Sequence, residues 1–415
     1  MKYSLCLKDS VLVSFEIVQG EIRSVERQGD PVLYPVGLGR EDHLKIDTWL
    51  KHRKIPRHRQ FADQILAAAG DGPYAFLDVS YGLSLNDAYW VKPEWVNKSW
   101  DEVNLYQHPF DRMLSNIAFC GYSAKAKGLH TSPEYTTNGY QKKAWIQRDG
   151  NVFLMKGIGM AGLQNLMYSH PDGRSEAFSE YYAAQVAETM GLPHVSYDLE
   201  NFRHEDGRKE VVSICPLFTS EDVGYVPCST FEQEFIHLNR EETFAWLEAK
   251  LGKAFVADLF VFDSLIYNQD RHLGNFGLLW DNISNRPIGP APLFDHGASL
   301  FCGLSPKGIE NLKDLKYGAP SLGNTWEMSF DEIAKRFVEK RHLPMLRKMT
   351  TFRFARHPRY NIAESSLTKM ERFLQTRARE MMTLARDKET KQPVIRSKTK
   401  SSLCDRKRPE NGNER

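Results

Sequence analysis

The eight residues Asn268–Asn275, NQDRHLGN, bring a carboxylate, a guanidinium, an imidazole and an amide into one short stretch. Some twenty residues on, the chain reads PLFDHGASLF and places a second carboxylate, Asp295, two residues before Gly297. Phosphoryl transfer is mostly positioning and charge neutralisation, and it uses such a set. One carboxylate accepts or orients the proton of the attacking hydroxyl. A second carboxylate and an amide oxygen hold Mg²⁺, which takes hard oxygen ligands and borrows others from phosphate and water. On this reading Asp270 is the base, and Asn275 and Asp295 are the metal ligands. The intervening NFGLLWD…APLFDHG reads as a short hairpin that returns Asn275 and Asp295 to one point.

An ATP cleft needs further parts, and the upstream sequence offers them in order. Lys156 ends the apolar strand NVFLMK, where it can reach phosphates from a strand end. Glu180 lies in the next helix and can pair with that lysine. The segment TNGYQKK sets Gly139, Tyr140, Gln141, Lys142 and Lys143 at a strand end, as a phosphate cover rich in backbone amides. In ICPLF, residues Cys215, Pro216 and Leu217 read as a hinge that offers backbone groups to adenine. Each piece alone has a plainer reading. Lys156 is then a solvated strand end, Glu180 a surface residue, Asp295 and Gly297 an ordinary turn, and Asp270–Arg271 a structural ion pair. Their joint occurrence in this order favours the kinase-like reading over coincidence.

NQDRHLGN and FDHGAS resemble the catalytic and metal-binding motifs of HipA-like kinases, the serine/threonine kinases of bacterial toxin–antitoxin systems. TNGYQKKAW is similar to that family's ATP-covering loop, FLMKG to its ATP-lysine strand, and SEYYAAQVAETMGLPHV to the helix that follows. The resemblance covers roughly residues 130–386. It implies Asp270 as proton acceptor, His272 and Asn275 on the nucleotide and metal side, Asp295 as metal aspartate and Lys156 as ATP lysine. It implies ATP and Mg²⁺ as cofactors, a protein substrate, and a small helix-turn-helix antitoxin as partner, with DNA reached only through that partner. It also implies autophosphorylation near the ATP loop, where Thr136 and Thr137 stand. The loop is less glycine-rich than in many members, and the hinge lacks the acidic residue often found there. A weaker likeness to phosphatidylinositol kinases runs through DRHLGN and FDHG.

The elements that must position these residues follow from periodicity. Val11, Val13, Phe15 and Ile17 alternate and suggest an N-terminal hairpin turning at Gly20. Two helices flank Pro56, the second ending near Gly70, and carry a basic cluster (Lys51, Arg53, Lys54, Arg57, Arg59) that reads as a solvated face. Trp90, Trp95, Trp100 and Tyr106 read as a small aromatic core. From Ser132 onward come strand, RDGN turn, strand, helix and two more strands. Beyond Thr230 the pattern is mainly helical. The expected fold is α+β: a two-lobed protein-kinase-like body, with a strand-rich N-lobe and a mainly helical C-lobe, behind a small N-terminal α+β domain. The expected boundaries are 1–125, 126–230, 231–387 and a disordered basic tail at 388–415.

Bulk properties are ordinary for a soluble globular protein. The 415 residues are 41% hydrophobic and 26% charged, with net charge +2, so overall charge does not point to nucleic acid or a membrane. The six cysteines lack CxxC spacing, which argues against zinc or a disulfide framework and suits a reducing cytoplasm. There is no signal-peptide pattern and no apolar run of about 18 residues. With the motifs, and as the resemblance implies, the expected activity is that of a cytoplasmic, ATP- and Mg²⁺-dependent serine/threonine protein kinase, with no membrane partner. The alternatives are a kinase-like binding module contacting a protein or DNA, and a lipid or small-molecule kinase.

Overall fold

In the computed structural model, the described residues are 1–39, 45–122, 131–158, 174–302 and 328–391. The N-terminal α+β domain is built on a four-stranded antiparallel sheet. Strands β1 (Lys2–Leu7), β2 (Ser10–Val18) and β3 (Glu21–Arg27) are consecutive. The fourth, β4 (Tyr89–Pro93), arrives after helices α1 (Ile46–Arg53), α2 (Ala62–Ala69) and α3 (Ala75–Ser80) and pairs with β1, giving the order β3-β2-β1-β4. The expected hairpin is thus part of a larger sheet, because β1 has a second edge that only a distant strand fills. Trp90 and Trp100 are buried in its core as expected, but Trp95 is exposed and lies on its rim. Helix α4 (Arg112–Cys120) closes the domain, capped by Asp111 at its start and by Gly121 at its end.

The N-lobe sheet has the order β5-β6-β8-β7. It comprises β5 (Lys143–Arg148), β6 (Asn151–Lys156), β7 (Asp198–Arg203) and β8 (Lys209–Pro216). The β5–β6 turn is the expected one: Asp149 and Gly150 both have positive φ, the geometry that suits strand twist in a two-residue hairpin. Helix α5 (Glu176–Met190) packs beneath the sheet and stops at Gly191 in the left-handed conformation.

Strand β9 (Val223–Pro227) lies before the boundary expected at residue 230, yet it pairs with β10 (Gly277–Asp281), which also pairs with β11 (Arg286–Pro290). This small sheet belongs to the C-lobe, so the crossing between lobes falls near residues 217–222. The C-lobe helices are α6 (Glu232–Phe235), α7 (Arg240–Leu251), α8 (Lys253–Ile266), α9 (Phe330–Phe337), α10 (Leu343–Met349) and α11 (Glu364–Lys391). Helix α8 is apolar nearly all round and runs through the centre of the core, as an all-apolar helix must. Residues 388–391, read as the start of a disordered tail, continue α11; positions 392–415 lie outside the described residues. No described helix is long and apolar enough to cross a membrane.

The N-terminal domain touches both lobes and the crossing between them. Thr219 Oγ1 donates to Leu85 O, Trp100 Nε1 to Glu221 Oε1 at 2.7 Å, and Lys8 pairs with Asp222 at 2.9 Å. On the C-lobe side, Asn285 Nδ2 donates to the carbonyls of Val32 and Tyr34, each at 2.8 Å.

Phe260 is fully buried on α8, its ring 4.8 Å from that of Phe337. Phe260→Ala should cost about 3–5 kcal/mol, the range for large-to-small changes in a packed core. Urea unfolding checks this; a cost below about 1 kcal/mol would mean that α8 is not the axis of the lobe.

Candidate active site

Helix α8 ends with Tyr267 in the left-handed conformation, which turns the chain straight into the 268–275 loop. The loop is folded on itself. Asn268 Oδ1 accepts from Asp270 N, and Asp270 O accepts from His272 N and from Asn275 Nδ2, each at 3.0 Å. The Asp270 residue is exposed, while Asn275 is buried. His272 Nδ1 accepts from Gly274 N at 3.0 Å, which leaves the proton of a neutral ring on Nε2.

Arg271 turns inward. It does not pair with Asp270; its fully buried guanidinium takes Asp263 of α8, with Nε to Oδ2 at 2.9 Å and Nη2 to Oδ1 at 3.1 Å. Its Nη1 donates to Asn275 O at 2.7 Å and to Phe294 O at 2.9 Å, and its Nη2 lies 3.2 Å from His296 Nδ1. One side chain therefore joins α8, the Asp270 loop and the segment that carries Asp295. Burial and the adjacent guanidinium hold His296 neutral, well below the usual imidazole range.

The second cluster spans the lobes. Lys156 Nζ donates to Glu180 Oε1 at 2.8 Å and to Asp295 Oδ1 at 2.7 Å. Glu180 Oε2 in turn accepts from His296 N at 2.9 Å. Burial works against charge on Lys156, but Asp295 and Glu180 overcome it and keep the lysine protonated. Burial would raise the Asp295 carboxyl; Lys156 and Lys143 outweigh this and hold it well below the usual carboxylate range. Asp295 itself has φ of 60°, and its N–H donates to Tyr197 Oη. A Cβ at Gly297 would sit 3.1 Å from Glu176 Cβ on α5, so a larger residue there would make the two segments give way by a few tenths of an ångström.

The loop over the cleft divides its two lysines. Lys143 faces inward and passes under Gly139, where a Cβ would stand 2.2 Å from its Nζ; Gly139 also has φ of 99°. Burial and then Lys156 push the Lys143 amine down to about 7. Lys142, one residue earlier, points to the opposite face of the sheet and pairs with Glu210 at 2.6 Å over the ring of Phe119. It is not brought to the site. At the expected hinge, Leu217 N already donates to Val152 O at 2.9 Å and Pro216 has no N–H, so neither offers a donor to adenine. Cys215 is buried beside Ala184, Val195 and Tyr197. Asn138, Gly139, Tyr140, Gln141, Lys143, Asp270, His272 and Asp295 share one cleft of about 1980 Å³, whose other wall comes from the N-terminal domain.

Sequence reading passed over Asp263, His296, Asn268 and Tyr197. Asp263 carried a signal: a carboxylate in the apolar run FVADLFVFDSLIY must find a buried partner.

No protein-family model matches the chain. The serine/threonine-protein kinase CtkA of Helicobacter pylori is 28% identical over 137 residues, 30% of this chain and 40% of CtkA. The match thus spans less than half the length of that curated relative. Among solved structures, one from the Shewanella oneidensis MR-1 complex of HipA, HipB and operator DNA aligns over 93% of this chain and 98% of that chain. Its TM-score is 0.52 at 12% identity. The structure of the Helicobacter pylori proinflammatory kinase CtkA aligns over 59% of this chain and 91% of that chain, with TM-score 0.41 and 20% identity. The resemblance to HipA-like kinases read from the sequence therefore holds at the level of the fold: this is a two-lobed kinase-like α+β fold.

The Asp295 shift sets a pH dependence. A carboxyl lowered by folding stabilises the protein above its unfolded pKa of about 4, and that contribution is lost as pH falls below it. Between pH 6 and pH 3, wild type should lose more stability in urea melts than Asp295→Asn. Equal losses would show that the Lys156 contact does not form in solution.

Proposed function

We propose that this chain is a kinase that moves the γ-phosphate of ATP to a serine or threonine hydroxyl of a protein, with Mg²⁺. The observation that carries the reading is the Lys156–Asp295 contact across the cleft, with Glu180 behind the lysine and Asp270 opening on the same cleft. Lys156 presents a cation to the phosphates; Lys143, its amine pushed down to about 7, joins it as the phosphate charge favours its protonation, and the amides of residues 138–141 cover them. The donor set suits Mg²⁺. Asp295 gives Lys156 its Oδ1 and keeps Oδ2; Asn275 spends its Nδ2 on Asp270 O, which turns its oxygen into the available end. When bound, the ion would neutralise charge on the phosphates.

Asp270 receives the acceptor proton, and its backbone is fixed by Asn268, His272 and Asn275. His272 lines the same cleft on the phosphate side. The cleft, about 1980 Å³, exceeds the roughly 300–1,000 Å³ of small-molecule sites, which leaves room for an acceptor segment beside the nucleotide. The HipA–HipB–DNA complex supports extending the reading to a toxin held by a small DNA-binding antitoxin, in the cytoplasm, with DNA met only through that partner.

Thr136 and Thr137 remain the proposed autophosphorylation positions. Both hydroxyls are engaged: Thr136 Oγ1 donates to Leu83 O at 2.8 Å, and Thr137 Oγ1 donates to Pro133 O and accepts from Trp145 Nε1. Phosphorylation at either requires the 133–138 turn to leave its seat.

Asp270→Asn should lower radiolabelled phosphate transfer, to itself and to lysate proteins, by about 10²–10⁴-fold, the span for loss of a general base. Its thermal midpoint should still rise with ATP and Mg²⁺. Undiminished transfer by this variant removes the assignment. A wild-type protein that binds ATP but labels nothing points instead to a kinase-like binding module.

A further inference from the structure

The basic cluster that starts in the last turn of α1 was expected to be a solvated face, and for Lys51 and Arg57 it is, whereas Arg53 is buried against Asp87. Arg59 behaves otherwise. Its side chain is fully buried and reaches out of the N-terminal domain into the phosphate-covering segment. Nη1 donates to Glu134 O and to Thr137 O, both at 3.1 Å. Nη2 donates to Glu134 Oε2 at 2.6 Å and to Lys143 O at 2.9 Å. Four of the five guanidinium N–H groups are therefore spent on residues 134–143; only Nε lacks a partner among the described residues. Glu134, also fully buried, uses its other oxygen on Trp145 N at 2.8 Å, at the start of β5.

Two backbone bonds run alongside. Ile55 N donates to Tyr135 O at 2.8 Å, and Gln60 N donates to Tyr140 O at 2.9 Å. The segment 55–60 is thus zipped to both ends of the loop that carries Gly139. Within that loop Lys143 Nζ donates to Asn138 O at 2.9 Å, under the space that Gly139 leaves open. The Lys143 carbonyl that Arg59 holds belongs to the very residue whose ammonium faces Lys156 and Asp295.

We propose that Arg59 is a positioning residue for phosphoryl transfer: from the N-terminal domain it fixes the height of the phosphate-covering loop and with it the place of Lys143. The proposal rests on the kinase reading above, and adds that the N-terminal domain is part of the nucleotide site. The geometry favours arginine because the planar fork meets three carbonyls and a carboxylate at once. A lysine, with a single ammonium on a flexible stem, cannot hold all four. The same contacts make the loop's position depend on the seat of the N-terminal domain. A protein that displaces segment 55–60, whose Pro56 and His58 line the N-terminal wall of the cleft, would loosen the loop.

The test uses the full chain with Arg59→Lys, and Glu134→Gln as the second variant should Arg59→Lys fold poorly. The first readout is amide exchange without nucleotide. Exchange over residues 134–143 should rise at least tenfold while α8 stays protected. The second is kinetic: KM for ATP should rise about tenfold, with KM for the protein acceptor unchanged, a split that general destabilisation does not produce. Unchanged exchange over 134–143 in a folded variant overturns the proposal, as does an unchanged KM for ATP in an active one. If wild type transfers no phosphate, the kinase reading fails by itself, and the exchange result still decides whether Arg59 holds the loop.

Discussion

The Arg271 guanidinium is where one helix and two loops converge. It is fully buried, as is Asp263 opposite it. Such a pair is not there chiefly for stability, since removing two charges from water costs several kcal/mol per ion and the mutual attraction roughly repays it. What the pair supplies is position. The guanidinium plane fixes Asn275 O and Phe294 O within one fork, so the residue after Phe294 and the loop before Asn275 cannot drift apart. Asp270 and Asp295 are brought to one cleft because a third group holds the backbones of both segments.

The inter-lobe cluster is the counterpart on the other side of the cleft. Lys156 at the end of β6 touches Asp295 of the C-lobe and Glu180 of α5. Glu180 then reaches the backbone of His296, next to Asp295. Lysine, glutamate and aspartate form a closed circuit of charge-assisted bonds, anchored to Arg271 through His296. On the proposed reading, a nucleotide phosphate entering here would meet the Lys156 ammonium already held in place, which would leave little reorganisation for the reaction itself.

Much of this was legible in the chain. The β5–β6 hairpin follows from Asp149–Gly150, and α5 ends at Gly191 because the left-handed cap suits glycine. The motif order singled out Lys156, Glu180, Asp270 and Asp295, and their side chains do converge on one cleft or on each other. What the sequence hid is mostly a matter of facing. Lys142 and Lys143 are adjacent, and a strand sends neighbours to opposite faces, so pattern alone could not say which one enters the cleft. Arg57 and Arg59 stand two apart in a polar segment; only the distant Glu134 makes one a buried clamp. The Leu217–Val152 bond, which uses the N–H expected to meet adenine, and the pairing of β4 with β1 are both long-range. Local periodicity carries no trace of either.

The central claim is that Arg271 and Asp263 organise the site rather than stabilise the fold. The most direct measurement is phosphate transfer by the double variant Asp263→Leu/Arg271→Met, with its urea midpoint measured alongside. Replacing a buried ion pair by apolar residues of similar size is often neutral for stability, while the Asn275 and Phe294 carbonyls left without their donor cost about 1–3 kcal/mol each, so the variant should stay folded at a lowered midpoint. Displacement of the catalytic groups by about 1 Å can cost on the order of 10²-fold in rate, and a loss of that size is the predicted result. A double variant that stays folded and transfers phosphate within a few-fold of wild type would contradict the account.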